Sequence, residues 1–268
     1  MSVLHESVPA GTFTVSVNLH GNSVELRQVS EDRLVGRYAY GNYMPVGTVR
    51  LLRAFEKHGI RATFFVPGRE AERNPKLVRE IAAAGHEIAA NGYALEDHGS
   101  LGESELATLQ KAHDILTKAI GTAPVGWRAP DGLLSRDTIR HLASLGYEYD
   151  ASFQDDDFPY ALDADGGRGM IEIPQNQYLL DATLYGVRMT HDRVLKNWVE
   201  EFDAHHLAGC YLCMTLHPRP DYGVGRPSRM DMLDEFLRHV ARAPGGTRFQ
   251  TCGEVARTAK ERIGAKKG

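Results

Sequence analysis

The chain has 268 residues, 42% hydrophobic and 25% charged, with 31 Lys+Arg against 35 Asp+Glu for a net charge of −4. These values exclude a disordered or collagen-like chain, and with no basic cluster to offset the balance they argue against a nucleic-acid partner. Three cysteines, Cys210, Cys213 and Cys252, are too few for a disulfide framework, and their odd number fits a reducing compartment.

The opening residues MSVLHESVPAGTF lack a basic stretch and an apolar core, so no signal peptide is expected. No apolar run approaches the ~20 residues that a membrane helix needs. The expectation is a soluble, cytoplasmic protein with no membrane partner.

In chain order, residues 13–19 alternate apolar and polar side chains, the period-two pattern of a strand. Thr14, Ser16, Asn18 and His20 then share one face. Residues 46–58 place Val49, Leu52 and Phe55 on one helical stripe, with Gly59 as a C-terminal cap. A short apolar strand over 62–66 is stopped by Pro67-Gly68. Asn74-Pro75 reads as an N-cap and first-turn proline for a helix to 84, closed by Gly85.

The rhythm repeats. A strand over 87–90 precedes a helix to 120, which Ser100-x-x-Glu103 opens as a capping box. A strand over 125–128, a helix over 135–145 closed by Gly146, and a strand over 147–150 follow. Residues 155–169 hold five aspartates, three glycines and a proline and read as a long loop. Strands over 170–173, 210–216 and 248–251 then alternate with helices over 190–207, 228–241 and 254–263.

Strands that alternate with helices imply parallel pairing, because each parallel pair needs a crossover. Seven or eight such units in one uninterrupted run point to an α/β fold, a single distorted (β/α) barrel spanning 1–268 with its core at about 13–263. A doubly wound sheet would carry a glycine-rich phosphate loop after its first strand, and Gly21-Asn22-Ser23 is not one. Barrels place reactive groups at the C-terminal strand ends. Here those ends carry Asn18 and His20, Asn91, Arg128 and Asp131, Asp150, and His217.

Four motifs give these strand ends a family resemblance: Ala62-Thr63-Phe64-Phe65-Val66-Pro67-Gly68, Ala84-Gly85-His86-Glu87-Ile88, Arg128-Ala129-Pro130 and Leu216-His217-Pro218. In this order and spacing the chain resembles the polysaccharide deacetylase (NodB-homology) family over roughly residues 13–263. Three further stretches resemble the intracellular branch of cyclic amide and ureide hydrolases, which includes metal-independent allantoinases. They are Asp155-Asp156-Asp157-Phe158-Pro159-Tyr160, Gly225-Arg226-Pro227 and Tyr38-Ala39-Tyr40-Gly41. That branch implies a homo-oligomer, commonly a tetramer.

The resemblance implies two aspartates at the first strand end, a general base and a metal ligand, and two histidines four residues apart after the third strand. Asn18 and His20 match the aspartates; Asn91 and Leu95 match the histidines. No carboxylate remains in the first motif, and Leu95 cannot ligate a metal. A divalent ion normally takes three protein ligands plus an open position. No cofactor is therefore expected, beyond weak residual divalent-metal binding at His20.

Each candidate also has a plainer reading. His217 is a satisfied structural residue or, as the resemblance implies, the general acid that protonates a leaving nitrogen. Arg128 and Asp131 are a surface ion pair or, by the family pattern, groups that orient the catalytic centre. His20 is a base or a hydrogen-bonding group in the barrel mouth. Asn18 and Asn91 can polarise a carbonyl or a water but cannot take a proton. Asp155, Phe158, Tyr160 and Arg226 are loop residues by composition and substrate contacts by resemblance.

Glu25 is the nearest carboxylate after His20 and a substitute base. His86 starts a strand, His205-His206 sit favourably at a helix end, and Cys210 and Cys213 belong to the core.

The leading expectation is a hydrolase acting on a non-peptide C–N bond of a small amide, ureide or cyclic imide, without the usual divalent metal. Its catalytic residues are His20, Arg128 and His217. The alternatives are a catalytically silent homologue that binds a small ligand, and a non-hydrolytic enzyme that uses the same two histidines.

Overall fold

The computed structural model describes residues 7–34, 39–162 and 169–266. Tyr38 of the Tyr38-Ala39-Tyr40-Gly41 stretch and positions 163–168 of the expected long loop lie outside them.

The first strand, β1 (Thr12–Asn18), is buried along its whole length. Its odd positions Phe13, Val15 and Val17 join the main apolar core. Its even positions turn to the barrel lumen, where Ser16 Oγ meets Thr215 Oγ1 at 2.9 Å. Period-two alternation therefore divides two buried faces, one apolar and one polar, rather than core from solvent.

Helix α1 (Met44–His58) begins two residues before the expected start because Pro45 fits its first turn, and it ends at Gly59 with φ 64°. Strand β2 (Thr63–Val66) follows. Pro67 does more than stop it: in an extended conformation it forms the N-cap of an unexpected helix, α2 (Gly68–Arg73). Helix α3 (Pro75–Ala83) starts at the expected proline, but the Asn74 side chain does not cap it. Asn74 Nδ2 donates instead to Glu70 Oε2.

After β3 (Glu87–Ala90), the expected capping box is absent. Ser100 Oγ donates to Asp97 Oδ2 at 2.6 Å, and two single-turn 3-10 segments delay α4 to Glu105–Ile120. Strand β4 (Gly126–Trp127), helix α5 (Thr138–Ser144) and strand β5 (Tyr149–Asp150) are shorter than the apolar patterning suggests. Inside the expected loop lies strand β6 (Tyr160–Leu162), which pairs antiparallel with β7 (Met170–Glu172). Helix α6 (Asp181–Gly186), also unexpected, precedes α7 (His191–Ala208). The order closes with β8 (Leu212–Leu216), α8 (Pro227–Val240), β9 (Arg248–Phe249) and α9 (Cys252–Lys266).

The strands form one sheet in the order β6-β7-β5-β4-β3-β2-β1-β8, with β9 added beside the start of β1. Every pairing among the described residues is parallel except β6 with β7. The sheet curls into a distorted barrel. Among the described residues, the seam between β7 and β8 is spanned by a single parallel bridge, Leu180 to Thr215. Cys210, Cys213 and Cys252 are free and buried, as expected of core residues. Among the described residues, no helix is long and apolar enough to cross a membrane.

Candidate active site

The C-terminal strand ends open into a cavity of about 550 Å³. Seven residues singled out in the sequence line it: Asn18, His20, Asn91, Leu95, Arg128, Asp131 and His217. Ser152, Gln154, Gln175 and Tyr222 join them without having been foreseen. A second cleft of about 460 Å³, around Arg61, His86 and Glu254, lies at the starts of the strands and gathers no comparable set.

His217 follows β8, whose five residues are all buried, and Pro218 turns the chain away. Behind the imidazole stands a residue the sequence reading missed, Asp181, the fully buried first residue of α6. His217 Nδ1–H donates to Asp181 Oδ1 at 2.6 Å, while the His217 and Val224 backbone N–H groups donate to Oδ2 at 2.7 and 3.0 Å. Three donors suit a buried carboxylate, and removing one partner of such a set costs about 3–5 kcal/mol. The loop returns over the histidine only because residue 223 is glycine: a Cβ there would lie 2.2 Å from the His217 carbonyl oxygen.

The opposite ring nitrogen, Nε2, accepts from Asn18 Nδ2 at 3.2 Å. Asn18 is oriented in turn by Arg128, whose Nη1 donates to Asn18 Oδ1 at 2.9 Å and to Ser16 Oγ at 3.1 Å. Arg128 Nε donates to Ala151 O at 2.8 Å, and the guanidinium lies 3.8 Å above the Phe65 ring. Its Nη2 makes no hydrogen bond. Arg128 is therefore an internal strut, not half of a surface ion pair. Asp131 pairs with Arg27 at the exposed rim, where such a bridge is worth about 0–1 kcal/mol.

His20 stands across the mouth, its ring centroid 5.0 Å from that of His217. Its Nδ1 contacts Tyr222 Oη at 3.5 Å, a long hydrogen bond. Burial, then the neighbouring His217, Arg219 and Arg128, hold this imidazole well below its ordinary range, so it is neutral at pH 7; the Asn91 side chain acts in the opposite sense. Asn91 Nδ2 donates to Arg128 O at 2.9 Å, but its buried Oδ1 makes no full hydrogen bond. Leu95 closes this side in the left-handed region, φ 60°. A bulky residue there costs roughly 1–3 kcal/mol.

Below the cavity, Asp150 and Glu172 are cross-strand neighbours on β5 and β7, both fully buried. Asp150 Oδ1 accepts from Ala151 N–H and Ser152 Oγ–H, and Glu172 Oε1 from Phe153 N–H. Asp150 Oδ2 and Glu172 Oε2 have no such donors. Burial pushes Asp150 up to about 6 and Glu172 well above the usual carboxylate range, the latter also through the Asp150 charge. Both carboxyls are thereby held toward their protonated forms.

Four expected contacts fall outside the cavity. Phe158 packs into an apolar cluster with Val8 and Tyr211. Tyr160 lies on β6 and donates its hydroxyl to Asp155, which lines a neighbouring cleft. Arg226 is the N-cap residue of α8 and donates to Pro220 O. Glu25 is no free base: it accepts from Arg219 Nη2 at 2.7 Å and Nη1 at 3.2 Å, and from Gly41 N–H.

The divalent metal that the resemblance implies does not fit these residues. Around His20 the nearby side chains are the His217 ring, the Tyr222 hydroxyl, the carboxamides of Asn18 and Asn91 and the hydrocarbon of Leu95. Among the described residues, no three His, Cys, Asp or Glu side chains are grouped to hold an ion. Two neutral amides and two imidazoles, one of them with both nitrogens engaged by Asp181 and Asn18, are a poor donor set for zinc or iron.

Comparison with known proteins agrees with the strand-end motifs. Residues 38–149 match the family model described as polysaccharide deacetylase. The chain is 29% identical to the peptidoglycan deacetylase of Helicobacter pylori over 245 residues, which is 79% of this chain and 83% of that one. A solved structure from Mycobacterium smegmatis, assigned to the polysaccharide deacetylases, superposes with a TM-score of 0.88 at 28% identity, covering 97% and 94% of the two chains. The structure of PuuE allantoinase superposes at 0.81 with 22% identity over 96% and 93%, a likeness of fold. Motif order, matching residues and a barrel shared almost end to end carry one conclusion: residues 38–149 match the polysaccharide deacetylase model within a barrel like that of the Mycobacterium smegmatis structure.

Proposed function

We propose that the chain hydrolyses the C–N bond of a small amide, ureide or cyclic imide, with a histidine–aspartate pair in place of a metal-held water. The observation that carries this reading is the His217–Asp181 contact at 2.6 Å in a residue that lines the cavity, with Nε2 of the same ring against Asn18. Asp181 holds the proton on Nδ1, which leaves Nε2 a lone pair. His217 then removes a proton from water as the water oxygen attacks the carbonyl carbon, and the 3.2 Å contact from Asn18 Nδ2 opens as Nε2 takes that proton. The same proton passes from Nε2 to the departing nitrogen, so the C–N bond breaks with protons balanced.

Each such transfer is worth about 10²–10⁴-fold in rate. Arg128 Nη2, a donor without a partner, can meet a developing oxyanion, while the open Asn91 Oδ1 can only accept, as from a substrate N–H. His20, neutral, contributes a hydrogen bond rather than a charge. A cavity of about 550 Å³ lined by Asn18, Asn91, Gln154 and Gln175 suits a compact ligand rich in N–H and C=O groups. Buried free thiols fit a cytoplasmic setting.

The test is a panel of ureides, cyclic imides and N-acyl compounds on the purified chain, with products weighed by mass spectrometry. The expected result is a product heavier by one water, formed by the wild type and not by His217→Ala. Ligand binding without turnover across the panel would point to a silent binding protein. A product of unchanged mass would point to proton transfer at carbon.

A further inference from the structure

We propose that Asn18 is a positioning residue that commits His217 to accept a proton before it can give one. The amide cannot be turned round. Its oxygen is claimed by Arg128 Nη1 at 2.9 Å, and a guanidinium has only donors, so the edge facing His217 is the NH₂ group. That NH₂ lies 3.2 Å from Nε2, and two donor hydrogens would collide if Nε2 carried a proton. The other nitrogen meets the opposite constraint, since Asp181 accepts at Nδ1 and is itself fixed by two backbone N–H groups. A donor on one side and an acceptor on the other leave one neutral tautomer, Nδ1–H with a bare Nε2.

A carboxylate at position 18 would reverse this. Aspartate has the same shape and could still accept from Arg128, but it would offer an oxygen to Nε2. The imidazole would then lie between two carboxylates and be held doubly protonated. The other polar groups around the ring act much less directly. His20 and Tyr222 meet it edge-on at 5.0 and 5.2 Å between centroids, Arg128 reaches it through Asn18, and Arg219 lies behind Tyr222.

The inference deepens the proposed hydrolysis, but its test does not depend on turnover. The full chain is labelled with ¹⁵N-histidine, and the His217 ring signals are identified by their loss in His217→Gln. The wild type is expected to show Nδ1 protonated and Nε2 bare at pH 7. Asn18→Asp is expected to show both nitrogens protonated, with proton affinity raised about tenfold or more. Asn18→Leu, which removes the donor without adding charge, should lift the bar against a proton on Nε2 and raise its proton affinity by less than Asn18→Asp does.

A wild-type ring already doubly protonated, or protonated at Nε2, would overturn the proposal even if no variant folded. Equal titration of Asn18→Asp and Asn18→Leu would also overturn it. Failure of the substrate panel with the predicted tautomer intact would reject the hydrolysis reading and leave this one standing.

Discussion

The two walls of the cavity are built to different standards. On the β8 side, Asp181, His217, Asn18 and Arg128 form a continuous chain of hydrogen bonds at 2.6, 3.2 and 2.9 Å, with every group in it buried. Across the mouth, His20 touches Tyr222 at 3.5 Å, Asn91 Oδ1 lacks a full partner and Leu95 sits at positive φ. Buried polar networks specify geometry only when every member is satisfied. Under the proposed hydrolysis, proton handling falls to the first wall. The second, where the resemblance placed metal ligands, keeps the backbone path without the donors.

That division gives a graded series of outcomes. His217→Ala removes both proton transfers and should lower turnover by about 10⁴-fold, measured on the best substrate of the panel. Asp181→Asn keeps the shape but loses the acceptor that fixes the tautomer. A fall of about 10²–10³-fold, with little change in KM, is expected. His20→Gln, on the loose wall, should cost only about tenfold, the scale of one hydrogen bond. A larger loss for His20→Gln than for Asp181→Asn would erase the contrast between the walls.

The smallest effect concerns the acid pair beneath the floor. Asp150 holds its proton in the folded chain up to about 6 and releases it near 3.8 when unfolded. Between those values the native state binds more protons, so this carboxyl's contribution to stability is present at low pH and is lost as pH rises. Asp150→Asn, whose amide can donate to Glu172, should remove that part of the pH dependence. Melting curves from pH 4 to pH 7 would show it as a shallower decline in Tm, with turnover at pH 7 within a few-fold of wild type.

The parts legible in the sequence were those written in local pattern. Alternation over β1 placed Asn18 in the lumen beside Ser16, and the apolar β8 strand delivered His217 to the mouth. Asp181 was not legible, because nothing in Leu180-Asp181-Ala182 announces that its partner is 36 residues away. Gln175 and Ser152 were missed for the same reason: they lie just beyond short strands, where the barrel's curvature rather than the local sequence decides what reaches the cavity. Glu25 was misread because its partner, Arg219, reaches it from a distant loop. Phe158 and Tyr160 lie away from the mouth, the first in an apolar cluster and the second on a strand inside the expected loop. Charge and periodicity are local signals; pairing across the barrel is not.

The most direct test of the central claim, that the His217 wall does the chemistry without a metal-held water, is turnover of the chain after exhaustive chelation and dialysis. It is measured beside untreated protein on the same substrate. The account predicts unchanged turnover per chain. Activity lost on chelation and restored by zinc or iron would contradict it, because the attacking water would then belong to a metal on the loose wall.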